Sequence, residues 1–534
     1  MSLKLNRVAM TYGDHELFHD VSTTISSGEK VALVGRNGSG KSTLLRIIAG
    51  IETATAGNVH LSGSVVILEQ SNAPVTAGIE GLKPEGLRRA ELALQRAEAG
   101  LADPTGAALD AYATAEETFR VLGGYDFAVK AERVLAGLGL DSAADPARMS
   151  GGEQRRLLLA RLLLASHDVL LLDEPTNHLD TQSREWLEDW LLASPATVVF
   201  VSHDRAFLNR LAGRVLELER GRLNDWPGNL DEAMRLKAVA AQSQQRAWQA
   251  QERKRRSLEL EMHRLGSMAR SAERFNFKRA SGHPLILAKA RTEDVARTLA
   301  GRSKALERRL ERSEPLEKPF EDKLTIRIPL PEPGTGPQEV LRAENLGIAR
   351  GGRAVLDGLN LHVARGQKIA LVGANGSGKS SLLKALRGRL AHSGEVVTGQ
   401  GLTVFEAWQH AEELAGLTTL ADAVLDAQSA LRRQDLHHLL GQLDLPDPEF
   451  KLAELSGGQL TKVALARLAV TRAQLLVLDE PSNNLDLAAI TALEELLVAY
   501  PGTVLFASHD RQLVANVADV KWLVGDGVVR VVTG

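Results

Sequence analysis

The chain has 534 residues, of which 44% are hydrophobic and 25% charged, with net charge −3 and no cysteine. That length exceeds a single hydrophobic core and calls for two large domains plus smaller segments, and that composition excludes global disorder and a fibrous repeat. The lack of cysteine excludes disulfides, thiolate metal sites and iron–sulfur clusters, and no apolar run reaches the roughly 18 residues of a membrane span.

The first residues carry no apolar signal-peptide core, so a cytoplasmic location without membrane insertion is expected. Residues 31–34 then read as a buried strand and 44–49 as a helix, with Gly35-Arg36-Asn37-Gly38-Ser39-Gly40-Lys41-Ser42 between them. A glycine-rich loop in that position turns its amide N–H groups toward phosphate oxygens at a helix N-terminus. Lys41 is placed to reach the β- and γ-phosphates and Ser42 to hold Mg²⁺. One copy alone also fits a plain glycine turn. Over about 80–125, two helical patterns flank a turn at 102–106, and an exposed helical hairpin is predicted; the other reading is an enlarged helical subdomain.

Ser150-Gly151-Gly152 follows, then an apolar strand ending in Asp173-Glu174, then a second strand ending in Ser202-His203-Asp204-Arg205. Asp173 suits Mg²⁺, because a hard cation takes oxygen ligands. Glu174 is placed to orient an attacking water, and His203 to touch the γ-phosphate.

Residues 233–320 hold 21 Lys and Arg against 10 Asp and Glu, a balance of +11, so the rest of the chain sums to −14. Residues 234–265 and 293–312 read as helices on either side of a basic loop, 266–292, that includes Arg270, Arg274, Phe275, Phe277, Lys278 and Arg279. Such a bridge fits a solvated coiled coil or a polyanion contact, and one-signed charge on an acidic background favours the polyanion. A Pro/Gly-rich stretch, 329–337, opens the last part.

There the landmarks return. Gly373-Ala374-Asn375-Gly376-Ser377-Gly378-Lys379-Ser380 lies 338 positions after the first loop, while Ser456-Gly457-Gly458, Asp479-Glu480 and Ser508-His509-Asp510-Arg511 each lie 306 positions after their twins. The chain is an internal repeat, and its first half carries about 32 extra residues.

With Walker A, a Ser-Gly-Gly signature, Walker B with glutamate and a switch histidine in both halves, the chain resembles the ATP-binding cassette superfamily. The charged helical bridge narrows the resemblance to the ABC-F family. The resemblance implies an α/β fold with two P-loop ATP-binding cassette domains joined by a long, mostly helical charged linker. The cassettes would span 1–232 and 329–534, with the helical arm at about 80–125 in the first and the linker at 233–328. It also implies that the cassettes pair head to tail within one monomer. Site one would then combine Lys41, Ser42, Thr43, Gln70, Asp173, Glu174 and His203 with Ser456 and Gly458. Site two would combine Lys379, Ser380, Ser381, Gln409, Asp479, Glu480 and His509 with Ser150 and Gly152. Gln70 and Gln409 would join Ser42, Asp173, Ser380 and Asp479 around Mg²⁺.

Two departures stand out. Tyr12 matches the family's adenine-stacking aromatic, but its counterpart is Arg350, whose guanidinium can also stack. The first signature has Glu153 where the second has Gln459. The resemblance further implies an ATP hydrolase that binds the ribosome when ATP closes it, contacts rRNA and tRNA, and leaves on hydrolysis. Antibiotic resistance, stalling relief, assembly and initiation control stay open among its roles. A transporter's ATPase subunit and a DNA-handling ATPase are the alternatives.

Overall fold

In the computed structural model, the structure describes residues 2–68, 79–102, 106–141, 144–145, 149–177, 179–273, 285–311, 332, 334, 336–350, 353–408, 412–483 and 485–533. These fall into two compact units, one comprising Met1–Ala233 with Lys323–Gly534 and the other Met234–Asp322. Both P-loops lie in the first.

The first cassette is built on a six-stranded sheet in the order Val65–Leu68, Val169–Asp173, Thr197–Val201, Lys30–Gly35, Arg214–Glu219, Arg222–Pro227. All neighbours are parallel except the last pair. Every residue of Val169–Asp173 and Thr197–Val201 is buried, which explains their unbroken Val, Leu and Phe composition. Alternate side chains feed opposite cores: Val169 and Leu171 pack with Leu44, Leu45 and Ile48, while Leu170 and Leu172 pack with Leu158, Leu163 and Leu187. A small antiparallel sheet, His15–Ser26, Ser2–Tyr12 and Ala56–Leu61, completes this cassette.

The second cassette repeats the plan. Its sheet runs Val404–Ala407, Leu475–Asp479, Thr503–Ala507, Lys368–Val372, Val520–Gly525, Val528–Thr533, beside an antiparallel sheet of Arg353–Ala364, Glu339–Arg350 and Ser393–Thr398. In both cassettes the P-loop leaves the carboxyl end of a central strand, one strand removed from the carboxylate-bearing strand, at the sheet edge where open α/β sheets bind ligands.

The helices after the P-loops begin earlier than hydrophobic spacing suggests, at Lys41 and Lys379, because the polar first turn belongs to the loop–helix junction. Gly40 and Gly378 cap them with φ of 98° and 104°. A Cβ at Gly40 would come within 2.7 Å of Leu17, so glycine is required on both counts.

Glu85–Gly100 and Gly106–Val121 are the two helices of the insertion. Leu87, Ala90, Leu94 and Phe119 join the first cassette's core, while Leu92, Leu109, Val121 and Leu122 stay exposed. The hairpin is therefore anchored in the helical layer and open on its outer face.

The second unit holds helix Leu285–Glu311 and nearly all of helix Leu230–Glu273, and the Ser303 hydroxyl donates to the Met262 carbonyl (3.2 Å). The first helix runs further than expected. Arg270, assigned to a loop by sequence, is an exposed helical residue. A lone Gly266 costs a helix only about 1 kcal/mol, too little to end it, and the stronger breakers Gly282 and Pro284 come later. Arg274, Phe275, Phe277, Lys278 and Arg279 lie outside the described residues.

Candidate active site

Gly35 and Gly373 begin the two loops where the chain passes closest to a neighbouring strand; a Cβ there would lie 2.5 Å and 2.1 Å from the Leu218 and Val524 carbonyl oxygens. The loops then curl over their lysines. Lys41 Nζ donates to the Gly35 and Arg36 carbonyls (both 2.9 Å), and Lys379 Nζ to Gly373 (2.9 Å) and Ala374 (3.0 Å). Both ammonium groups are buried. Desolvation lowers their pKa, opposed first by Glu174 for Lys41 and by Glu480 for Lys379.

The carboxylate-bearing strands end beside these lysines. The Ser380 hydroxyl donates to Asp479 Oδ1 (2.9 Å), a pair of hard oxygens at the foot of the P-loop that fits Mg²⁺. Among the described residues there is no cluster of three or more His, Asp or Glu that could hold a metal ion. Gln70 and Gln409, expected near this ion, lie outside the described residues.

Glu174 and Glu480 occupy left-handed backbone, φ 51° and 52°, a conformation costing on the order of 1–3 kcal/mol for such residues. The same conformation recurs at the same place in both halves. Burial pushes Glu174 up to about 8, with Asp173 adding to the rise, and Glu480 up to about 7, against the pull of Lys379. His203 Nε2 lies 3.3 Å from Glu174 Oε1 and His509 Nε2 3.6 Å from Glu480 Oε1. Desolvation drives both imidazoles down, to about 4 and about 3, with the P-loop lysines next in effect. Each histidine is therefore neutral at pH 7, and its contact with glutamate is not an ion pair.

A cavity of about 810 Å³ brings site one together. It is lined by Tyr12, Asn37, Gly38, Gly40, Lys41, Ser42 and Thr43, by Asp173, Glu174 and His203, and across the cleft by Ser456, Gly457, Gly458 and Gln459. The residues that the family resemblance assigns to site one thus converge from both cassettes, with Gln70 outside the described residues. His509 lines the same cavity, while Ser150 and Gly152 do not. Arg350 is exposed at the end of its strand, paired in register with Arg353, and also lies away from this cavity.

Several residues that motif reading missed hold the two halves together. Asp486 Oδ2 accepts from the Asn37 amide (3.4 Å), and Asp180 reciprocally takes a hydrogen bond from the Asn375 main chain. Each aspartate also caps a helix, through Ser183 N (2.9 Å) and Ala489 N (3.0 Å). Their 306-residue spacing was a readable signal. Arg205 meets Glu494 (3.0 Å), and its counterpart Arg511 pairs with the fully buried Glu188. Arg184 donates to the His509 carbonyl (2.9 Å), and Arg36 approaches Asp444 (3.5 Å). No sequence pattern announces the last two.

A family model described as "ABC transporter" matches residues 18–177 and 356–483, and a second of the same description matches 216–328. The tylosin resistance ATP-binding protein TlrC of Streptomyces fradiae is 35% identical over 549 residues, covering 99% of this chain and 98% of that protein. ABC transporter F family member 5 of Arabidopsis thaliana is 32% identical over 556 residues, covering 99% and 75%. The energy-dependent translational throttle protein EttA of Mycobacterium tuberculosis is 30% identical over 532 residues, covering 95% and 88%. Among solved structures, the RNase-L inhibitor aligns with a TM-score of 0.60 at 19% identity, over 99% of this chain and 90% of that one, a likeness of fold.

Proposed function

The chain belongs to the ABC-F family of twin-cassette ATPases and hydrolyses ATP; from that premise we propose that it is a cytosolic translation factor that grips the ribosome when ATP closes its cassettes. What carries the reading is the +11 balance of residues 233–320, largely on two helices, in a protein of net −3. Arg253, Lys254, Arg255 and Arg256 are all exposed on the first of these helices. Positive charge concentrated on one segment of an acidic protein suits the phosphates of rRNA and tRNA. A relative named for translational control supports the same direction. Among the described residues no helix is long and apolar enough to cross a membrane.

In this proposal Lys41 and Lys379 neutralise the β- and γ-phosphates, and the signature residues of the opposite cassette close over the γ-phosphate. Mg²⁺, held by Ser42 with Asp173 and by Ser380 with Asp479, would supply further charge neutralisation. Glu174 and Glu480 orient a water. Its oxygen attacks the γ-phosphorus, the bond to the β–γ bridging oxygen breaks, and the water's proton passes to the carboxylate, leaving ADP and phosphate. Only the ionised carboxylate accepts that proton, and the adjacent Lys41 or Lys379 favours that form against the effect of burial. His203 and His509, neutral, can donate one hydrogen bond to the γ-phosphate while keeping contact with the glutamate.

The test is the Glu174→Gln, Glu480→Gln double variant of the full chain, which should hold ATP, pellet with ribosomes and arrest cell-free translation. An ATP-loaded variant that neither pellets with ribosomes nor slows translation would sink the reading.

A further inference from the structure

We propose that the two composite sites are unequal by construction, with site one, at Lys41 and Ser456, retaining ATP longer than site two, at Lys379 and Ser150. The inference rests on the composite assignment above. Two sets of repeat-related residues carry it, each filled differently in the two halves.

The first is the signature. Ser150 Oγ donates to Glu153 Oε2 at 2.6 Å, and the Ser150 main-chain N–H donates to the same oxygen at 2.8 Å. The hydroxyl proton is thus committed within the first cassette, and a carboxylate is fixed at the helix end that would face ATP's terminal phosphate. Like charges there repel. In the second cassette Gln459 Oε1 accepts from the Ser456 main-chain N–H (2.9 Å), while Ser456 Oγ only accepts, from Gln459 N (3.3 Å). That neutral cap leaves the Ser456 proton for a ligand in the cavity it lines. Lys462, buried, lines the same cavity; its repeat partner Arg156 instead donates to the Leu138 carbonyl (3.2 Å).

The second is a clasp between cassettes. Arg36, inside the first P-loop, lies 3.5 Å from Asp444 of the second cassette, and Asp444 also lines the site-one cavity. The residue matching Arg36 is Ala374. One step off the 306-residue register, Gly139 takes the place of Asp444 just after the end of the equivalent helix and shares its left-handed backbone, φ 64° against 57°. Neither can form an ion pair, so site two lacks the clasp on both sides. Grip on phosphate and closure of the cleft therefore both favour site one.

The experiment loads the full-length Glu174→Gln, Glu480→Gln protein with labelled ATP and Mg²⁺ and chases it with unlabelled ATP. Release in two phases of equal amplitude, differing about tenfold in rate, is the expected result. Adding Asp444→Gly speeds only the slow phase, roughly two- to fivefold as for a partly exposed ion pair, and less so in high salt. Adding Glu153→Gln, which keeps the cap and removes the charge, slows only the fast phase by about fivefold, the scale of one lost charge contact. A single phase, or two variants that change both phases alike, overturns the inequality while leaving the composite sites standing. Failure to retain any nucleotide overturns the composite assignment, and the inference with it.

Discussion

Superposed through their repeat, the two cassettes agree where they face phosphate and diverge at several of the positions where they face each other. Both P-loop lysines bond the same two carbonyls, both glutamates sit in the same strained backbone, and both histidines are driven neutral. Across the cleft the pairs differ: Arg36 against Ala374, Gly139 against Asp444, Glu153 against Gln459, Arg184 against Ile490, Arg210 against Asn516. The phosphate chemistry is fixed by local geometry that each half must satisfy alone. In the proposed scheme the lifetime of each closed site depends on the opposite half, where these pairs differ.

The sharpest way to break this comparison is to disable one site at a time. Glu480→Gln should lower steady-state ATP hydrolysis by about tenfold, leaving the turnover of the slower site, whereas Glu174→Gln should lower it by less than about twofold, because the slower-releasing site contributes about a tenth of the turnovers. Equal losses in a phosphate-release assay would contradict the inequality.

Acid should act on both halves alike. His203 and His509 have folded pKa values depressed to about 4 and about 3, below the roughly 6.5 of an unfolded histidine. The unfolded chain therefore binds more protons in that window, so their contribution is intact above about pH 6.5 and is lost as pH falls toward 4, at up to about 1.4 kcal/mol per pH unit for each. Glu174 and Glu480, raised by burial, take up protons in the folded state and oppose this loss over the same range. In melting curves from pH 7 to 5, His203→Gln and His509→Gln should each make the protein less acid-sensitive than its parent by a similar amount, and a variant as acid-sensitive as the parent would contradict its burial as a neutral group.

The ionic seam offers a smaller contrast. Glu188 is met by two arginines, Arg511 and Arg210 (2.6 Å), while Glu494 is met by Arg205 and the neutral Asn516 (2.6 Å). Removing Arg205 leaves a carboxylate with no cation, and removing Arg511 leaves one with a cation still in place. Arg205→Ala should therefore weaken cassette closure more, by about 1–3 kcal/mol against under about 1 kcal/mol, read as the ATP dependence of energy transfer between dyes on the two cassettes. A further local effect is expected at the cavity rim. Tyr12→Ala should weaken ATP binding roughly three- to tenfold, and Arg350→Ala should leave site one unchanged.

Much of this was legible in the chain. Fully buried strands such as Val169–Asp173 advertise themselves as unbroken apolar runs, and the constant 306-residue register aligned signature, carboxylates and switch without any structure. The same register contains Asp180 and Asp486, yet their double duty as helix caps and partners of the opposite P-loop depends on how the cassettes pack. Arg36 with Asp444 is more hidden still. Their meeting joins residues about 400 apart, and a left-handed aspartate is not visible in a sequence. Arg270 was misassigned because one glycine was weighed as a helix end, when in a 44-residue helix it is a small local cost.

The central claim is that each P-loop is completed by the other cassette's signature. It is tested most directly by photolabelling with 8-azido-ATP in the Glu174→Gln, Glu480→Gln protein, followed by peptide mapping. Ser456→Arg should erase the label from the first cassette and spare the second, and Ser150→Arg should do the reverse. Labels lost from the cassette that carries the substitution, or from neither, would contradict the account.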